Sequence, residues 1–162
     1  MADAMEQLYQ QVILDHSRAR HGAGLIEPYD AESFQINPTC GDEVTLRVRM
    51  DHSTPSPRIA AVGWEGHGCS ISQASLSVLT GLVTGQDVPT VDRLNETFRD
   101  LMHGRGAELE PERQESLEDA AAFTGVARYP ARIKCALLGW MALRDALAHA
   151  LTAEPSTQKE DS

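Results

Sequence analysis

Three cysteines, Cys40, Cys69 and Cys135, are the residues of this chain best suited to chemistry, because a thiolate can attack as a nucleophile or bind a metal ion. Cys40 lies in the segment Asn-Pro-Thr-Cys-Gly-Asp, a predicted turn between two strands, and Cys69 lies at a predicted strand-to-helix junction. Cys135 comes near the start of a predicted helix, after Arg132 and Lys134. Since all three lie at the ends of elements, their side chains could converge on one rim of a two-layer fold.

A carboxylate close in sequence adds a fourth candidate ligand. Asp42 follows Cys40 by two residues, so both could point to the same centre if the turn folds back. Three thiolates and one carboxylate make the four ligands of a tetrahedral zinc ion. The spacing alone leaves two other interpretations open: a reactive thiol, favoured for Cys69 by the helix N-terminus and for Cys135 by its basic neighbours, or cysteines that only fill the core.

Histidine is the other common metal ligand, and His67 is the one nearest to this group, two residues before Cys69. His67 is the less favoured candidate; it is not included in the predicted ligand set, and its role stays open. The remaining histidines are predicted at surface or capping positions: His16, His21, His52, His103 and His149.

The composition of the chain limits the kinds of protein that it can be. With 162 residues, 41% of them hydrophobic, the chain is predicted to form one globular domain over residues 1–151, followed by a disordered tail over 152–162. The formal net charge of −10 argues against nucleic acid or an anionic membrane as the main partner. No apolar run is long enough to span a bilayer and the start of the chain does not resemble a secretion signal, so we predict a cytosolic protein with reduced thiols.

The periodicity of hydrophobic residues predicts an α+β fold, a small three-stranded antiparallel sheet packed against a layer of about four to five helices. An opening helix is predicted over residues 5–17. Strands are predicted at 33–37, 43–50 and 59–65, and further helices at 70–84, 89–102, 111–125 and 130–151. Ser70 and Gln73 match a capping box at the start of the second helix. The acidic stretch 108–119 is predicted to be a solvated helix face.

Three ordered motifs carry a resemblance to a known family. They are Asn37-Pro-Thr-Cys-Gly-Asp42, Gly66-x-Gly-Cys-Ser-Ile-Ser-x-Ala-Ser75 and Arg132-Ile-Lys-Cys-Ala-Leu137. Together they resemble SufU, a relative of the iron-sulfur scaffold IscU, and the likeness extends from about residue 5 to residue 148. The opening helix, with Val-Ile-Leu-Asp-His at 12–16, is similar as well.

Two features favour the SufU branch. IscU-type scaffolds carry a histidine directly before the third cysteine, where this chain has Lys134, and a Leu-Pro-Pro-Val-Lys chaperone motif, where this chain has Tyr-Pro-Ala-Arg at 129–132. The long stretch between Cys69 and Cys135 resembles the insertion of SufU proteins. One departure is Ser-Arg-Ala-Arg at 17–20, where relatives often have a Tyr-Lys-Asn-Pro-Arg-like run.

The resemblance implies a zinc-dependent sulfurtransferase with an IscU-like fold. Carried over to this chain, it implies zinc ligands at Cys40, Asp42, Cys69 and Cys135, with Cys40 as the thiol that accepts persulfide sulfur. The implied partners are a cysteine desulfurase of the SufS type and a downstream scaffold of the SufBCD type. Arg132 is the candidate for steering the anionic sulfur or the partner, with an exposed salt bridge as the alternative.

Two other functions fit the same ligands. Thiolates also suit iron, so the residues could assemble a [2Fe-2S] cluster as a scaffold. A closed four-ligand zinc site could also be purely structural, with the surface serving to bind a partner.

Overall fold

The computed structural model describes residues 4–39 and 41–152. Over these residues the chain forms three strands, five α-helices and one 3-10 helix, and the predicted α+β fold is confirmed. The strands are β1 (Ala31–Asn37), β2 (Asp42–Asp51) and β3 (Arg58–His67). The helices are α1 (Ala4–Ala19), α2 (Ser70–Val83), α3 (Val88–His103), α4 (Pro111–Ser116), the 3-10 helix (Glu118–Arg128) and α5 (Pro130–Thr152).

The three strands form an antiparallel sheet in the order β1-β2-β3. Their sequence explains this arrangement, because apolar residues alternate with polar ones and therefore line one face of the pleated chain. Val44, Leu46 and Val48 of β2 are buried on the inner face, while the residues between them are partly exposed. Helix α5 packs against β1 and β2, and α2 packs between α1 and α5.

The core lies between the sheet and the helices, and aromatic residues fill its centre. Phe98 of α3 stacks on Trp140 of α5, with ring centroids 4.7 Å apart, and meets Phe123 edge to face at 5.7 Å. All three side chains are almost completely buried. This packing holds α5 rigidly across the sheet, and α5 carries Cys135 near its start.

The helix predicted over 111–125 is interrupted. Helix α4 ends at Ser116, Leu117 turns inward and is fully buried, and Glu118 has a φ of +49°. A left-handed residue cannot continue an α-helix, so the chain restarts there as a 3-10 helix. The prediction of a solvated acidic face is otherwise confirmed, since the six acidic side chains of residues 108–119 are exposed.

The predicted capping box at Ser70 is wrong. Ser70 is the first helical residue, Cys69 is the N-cap, and no side chain of the capping residue bonds to the helix. Gln73 instead donates to the carbonyl of Gly66 at 3.3 Å and accepts a hydrogen bond from Arg20 at 3.0 Å. Thus Gln73 ties α2 to neighbouring segments rather than to its own N-terminus.

Two predictions concern the ends of the chain and the membrane. Thr152, where the predicted disordered tail begins, belongs to α5, and the remaining residues of that predicted tail, 153–162, lie outside the described part of the chain. No helix within the described ranges is both long and apolar enough to cross a membrane.

Candidate metal centre

Three of the four predicted metal ligands converge. One carboxylate oxygen of Asp42 and the Sγ atoms of Cys69 and Cys135 all lie within 4.8 Å of one another. Asp42 is the first residue of β2, Cys69 directly precedes α2, and Cys135 lies in the second turn of α5. The fold therefore brings together side chains that are up to 93 residues apart in the chain.

Asp42 is the centre of this group and is only 4% exposed. Its Oδ1 accepts a hydrogen bond from the backbone N–H of Cys69 at 3.2 Å, and its Oδ2 lies 3.6 Å from Cys69 Sγ. A carboxylate is favoured here because the unpaired N–H groups at the start of α2 form the positive end of the helix dipole. Asp42 thus binds one backbone N–H at the start of α2, where the side chain of Cys69 makes no capping hydrogen bond.

The donor set fits a tetrahedral metal ion. Bonds of about 2.3 Å to sulfur and about 2.1 Å to oxygen at a tetrahedral angle place the two atoms about 3.6 Å apart. Cys69 Sγ and Asp42 Oδ2 have that separation, 3.6 Å. Cys135 is 5% exposed, with its Sγ 3.7 Å from the carbonyl of Ala131, and Cys69 is exposed at the rim. Two soft sulfur donors and one oxygen suit zinc or iron better than magnesium or calcium.

Cys40 lies outside the described residues, but the turn on either side of it is described. The N–H of Thr39 donates to Oδ1 of Asn37 at 3.1 Å, and the N–H of Gly41 donates to the carbonyl of Asn37 at 2.8 Å. Asn37 is buried, and Gly41 has the positive φ, +78°, expected of a tight turn. One buried residue therefore anchors the chain before and after Cys40, beside Asp42. The role of Cys40 as a ligand stays a prediction.

Sequence reasoning assigned no role to Gly68 and Ser72, which shape the site. A Cβ atom on Gly68 would lie 2.8 Å from Cγ of Asp42 and would also collide with Oγ of Ser72. Ser72 is buried and donates to the carbonyl of Cys69 at 3.0 Å. The signal available in the sequence was the glycine directly before a cysteine, because glycine permits close approach of the backbone to another group.

Arg132 lies beside the centre and not within the group of three. It is exposed and one helical turn before Cys135, with its guanidinium 5.3 Å from the ring centroid of Tyr129. It makes no salt bridge with another described residue. With Ser70 and Ile71 it lines a cavity of about 520 Å³ that reaches the start of α2. Its steering role stays a prediction, and the alternative of an exposed salt bridge has no partner within the described ranges.

His67 and His16 differ in exposure and in contacts. His67 is exposed at the end of β3 and is not part of the group of three. His16 was predicted at the surface or at a cap, yet its side chain is only 15% exposed. Its Nδ1 lies 2.8 Å from Oγ of Ser77 and its Nε2 lies 2.8 Å from Oδ2 of Asp119. His16 therefore links α1 to α2 and to the 3-10 helix, partners too distant in sequence for its spacing to predict.

Comparison with known proteins shows the family of this chain. The family model of the NifU-like N terminal domain matches residues 8–136. The chain belongs to this family. The resemblance to the SufU family is confirmed by a relative from Bacillus subtilis, named zinc-dependent sulfurtransferase SufU, which is 36% identical over 144 residues, 89% of this chain and 92% of the relative. This NifU-like chain is also 34% identical over 155 residues to a protein of Streptococcus pyogenes named iron-sulfur cluster assembly scaffold protein IscU, covering 96% and 92% of the two chains.

Solved structures share the fold of this NifU-like chain. A protein of Fervidobacterium islandicum, proposed as an iron-sulfur cluster assembly scaffold for the SUF system, aligns with a TM-score of 0.72 at 33% identity, over 88% of this chain and 98% of that one. The N-terminal part of a nitrogen-fixing NifU-like protein from Brucella abortus aligns with a TM-score of 0.78 at 22% identity, over 93% and 100%, and this likeness concerns the fold alone.

Proposed function

We propose that this NifU-like chain is a zinc-dependent sulfur acceptor and carrier in iron-sulfur cluster biogenesis. It takes persulfide sulfur from a cysteine desulfurase of the SufS type onto Cys40 and passes it to a downstream scaffold of the SufBCD type. The observation that carries the proposal is the convergence of Asp42, Cys69 and Cys135 within 4.8 Å, directly beside the turn that contains Cys40. The cytosolic location predicted from the sequence is part of this proposal.

The proposed zinc ligands are Cys40, Asp42, Cys69 and Cys135. A bound zinc ion would supply positive charge that keeps coordinating thiols deprotonated at neutral pH. The chain's own residues prepare the site for it. Asp42 is buried and held at the start of α2, and Cys135 is fixed on α5 by the aromatic core, so two ligands are in place before any ion binds.

Cys40 is the proposed sulfur acceptor, and the described residues around the three cysteines support this choice. Cys135 is buried, and Cys69 lies against the Asp42 carboxylate, whereas Thr39 and Gly41 on either side of Cys40 are exposed. In the transfer, the Cys40 thiolate attacks the outer sulfur of the desulfurase persulfide. A new sulfur–sulfur bond forms on Cys40 while the old one breaks, and the desulfurase cysteine leaves as a thiolate. No external oxidant or reductant is needed.

Zinc is favoured over an iron-sulfur cluster by two observations. The relative from B. subtilis is named zinc-dependent, and Lys134 stands directly before Cys135, where IscU-type scaffolds carry a histidine. The relative from S. pyogenes is named a scaffold. A [2Fe-2S] scaffold on the same ligands is therefore the alternative that the experiment must separate from sulfur transfer.

The experiment measures sulfur transfer with a SufS-type desulfurase and cysteine. The wild-type chain is expected to contain about one zinc ion per molecule, to be colourless when purified without oxygen, and to gain one sulfur atom by mass spectrometry. Cys40→Ala should lose this gain and no longer accelerate the desulfurase. Thr39→Ala, a change of an exposed neighbour in the same turn, is the matched control and should transfer normally.

Three outcomes would contradict the proposal. Full transfer by Cys40→Ala would exclude Cys40 as the acceptor. Brown protein with visible charge-transfer absorption would favour the cluster scaffold. Zinc-loaded wild-type protein that folds normally but neither accepts sulfur nor stimulates the desulfurase would indicate a structural zinc site.

A further inference from the structure

The two edges of the sheet differ. The outer edge of β3 is covered, because Trp64 exchanges backbone hydrogen bonds with Gly22 and Gly24 at 3.0 and 2.6 Å. Near the other end of β3, Ile59 bonds in the same way to Gln86 and Gly85 at 3.0 and 2.7 Å. The outer edge of β1 has no backbone partner of this kind in the described part of the chain.

The covered edge identifies which backbone groups of β1 are open. Trp64 directs its N–H and C=O away from β2, so Leu46, its partner in the register, directs its own groups towards β1. Leu46 faces Ser33, which therefore bonds to β2. Consecutive residues of a strand point in opposite directions, so Phe34 and its neighbours at 32 and 36 present their N–H and C=O groups to the open edge.

The side chains of this edge are unusual for an exposed strand. Phe34 and Ile36 are 57% and 51% exposed on the outer face of the sheet. Proteins protect free edges with lysine, proline, bulges or a covering segment. Strand β1 has neither lysine nor proline, and its pairing with β2 shows no register shift. Its single charge, Glu32, is paired with Arg47 of the same chain at 2.8 Å.

We propose that β1 is an interface for a second copy of this chain, which pairs with it antiparallel and extends the sheet across the two molecules. Phe34 would lie opposite Phe34 of the second copy, and Glu32 opposite Ile36. In this register the open backbone groups of both strands face each other in three pairs, for up to about six hydrogen bonds. The two phenylalanine rings would meet on the outer face, and no like charges would lie opposite each other.

The pairing would close at two copies. Since Trp64 and Ile59 of the β3 edge are covered, the described residues of each molecule leave one edge of the sheet open, so we expect a symmetric dimer rather than a fibre. Phe34 lies at the middle of the seam and Asn37 at the end of β1, which places the two Asn37 residues about 20 Å apart at about 3.4 Å per residue. Both candidate metal centres would therefore remain open, and dimerisation is independent of the proposed function.

The net charge of the chain predicts how the stability of the proposed dimer depends on salt. Each molecule has a formal net charge of −10, so two copies repel each other at low ionic strength. Apolar and backbone contacts at the seam are little affected by salt. The dimer is therefore expected to become stronger as salt is added, whereas an interface held by ion pairs would weaken.

The test is sedimentation of the full chain over a concentration series at low and high salt, with reductant present to exclude disulfide-linked dimers. Phe34→Glu should raise the dissociation constant of the dimer at least ~30-fold, because it removes the ring pair and sets two carboxylates opposite each other. Glu32→Pro should raise it about 10-fold, because it removes an outward donor on each strand and leaves the ladder with β2 intact. The control Leu8→Glu changes a residue of α1 that is 56% exposed and should leave the constant unchanged.

Several results would overturn the proposal. Wild-type protein that stays monomeric at all concentrations and salts would exclude self-pairing. Dimers that weaken with salt, or that Phe34→Glu and Glu32→Pro leave intact, would place the interface elsewhere. A monomeric wild type whose binding to the desulfurase is weakened by Phe34→Glu and not by Leu8→Glu would show that the edge serves a different protein.

Discussion

The carboxylate of Asp42 accepts a hydrogen bond from the backbone N–H of Cys69 at 3.2 Å, while its other oxygen lies 3.6 Å from the Sγ atom of the same residue. One buried side chain therefore both accepts a hydrogen bond at the start of α2 and belongs to the candidate metal centre. Stability of the fold and affinity for the ion should be linked through Asp42.

Two substitutions of Asp42 should separate these roles. Asp42→Asn keeps an oxygen that can accept from Cys69 but loses the charge, whereas Asp42→Ala loses both. We expect both variants to bind zinc at least ~100-fold more weakly, and Asp42→Ala alone to lower the free energy of unfolding of the metal-free protein by about 1–3 kcal/mol. Titration against a chelator and denaturant unfolding would measure the two effects. Zinc affinity equal to that of the wild type in Asp42→Ala would remove Asp42 from the ligand set.

Gly68→Ala should disturb the centre without changing any ligand. The added methyl group would press on the Asp42 carboxylate and on Ser72, so we expect zinc affinity to fall by about 10–100-fold. Gly81→Ala is the control, because it lies in the same segment of the chain, within α2, and an added Cβ there meets nothing within 4 Å. Gly81→Ala should leave zinc binding unchanged and stabilise the helix by about 0.5–1 kcal/mol. Equal zinc affinities in both variants would show that the close packing at Gly68 does not matter.

His16→Ala should destabilise the fold, because His16 links α1 to α2 and to the 3-10 helix. It removes hydrogen bonds to Ser77 and Asp119 that hold α1 against the rest of the molecule, and α1 has no buried residue of its own. We expect a loss of about 1–3 kcal/mol in denaturant unfolding. His52→Ala, a change of an exposed residue in the loop between β2 and β3, should cost less than about 0.5 kcal/mol. Similar losses in both variants would mean that the His16 network contributes nothing.

The N-cap of α3 should make stability depend on pH. Hydrogen bonds from the hydroxyl and the backbone N–H of Thr90 hold the pKa of Asp87 below its usual value. A lowered native pKa means that the charged form stabilises the fold above the pKa of the unfolded chain, about 3.9, and that this contribution is lost as the pH falls through the native value. Asp87→Asn should therefore lower the Tm by about 1–4 °C at pH 7 and by progressively less below about pH 4.

Thermal unfolding of the two proteins between pH 7 and pH 3 measures this difference. The control Asp92→Asn changes an exposed acid of the same helix whose side chain makes no hydrogen bond or salt bridge with another described residue, and it should alter the Tm by less. A Tm difference for Asp87→Asn that stays constant down to pH 3 would show that the charge on Asp87 is not what stabilises the cap.

The sequence by itself determined the order of the elements and the chemistry available to them. Alternation in β2 and the helical spacing after residue 70 predict the sheet and the helices to within about two residues at most ends, because these patterns are local properties of the chain. The three ordered cysteine motifs likewise predict the ligands and the family. The sequence could not predict the break at Leu117, since that residue turns inward to fill space left by other helices.

Only the tertiary structure decided which groups meet. Asp42, Cys69 and Cys135 come from β2, the start of α2 and α5, and their convergence depends on how the core packs α5 across the sheet. The same holds for Asp42 as the partner of an uncapped helix, for His16 as a link between three helices, and for β1 as the uncovered edge of the sheet. Each of these joins residues far apart in the chain, and spacing along a sequence does not fix the distance between two side chains in the folded molecule.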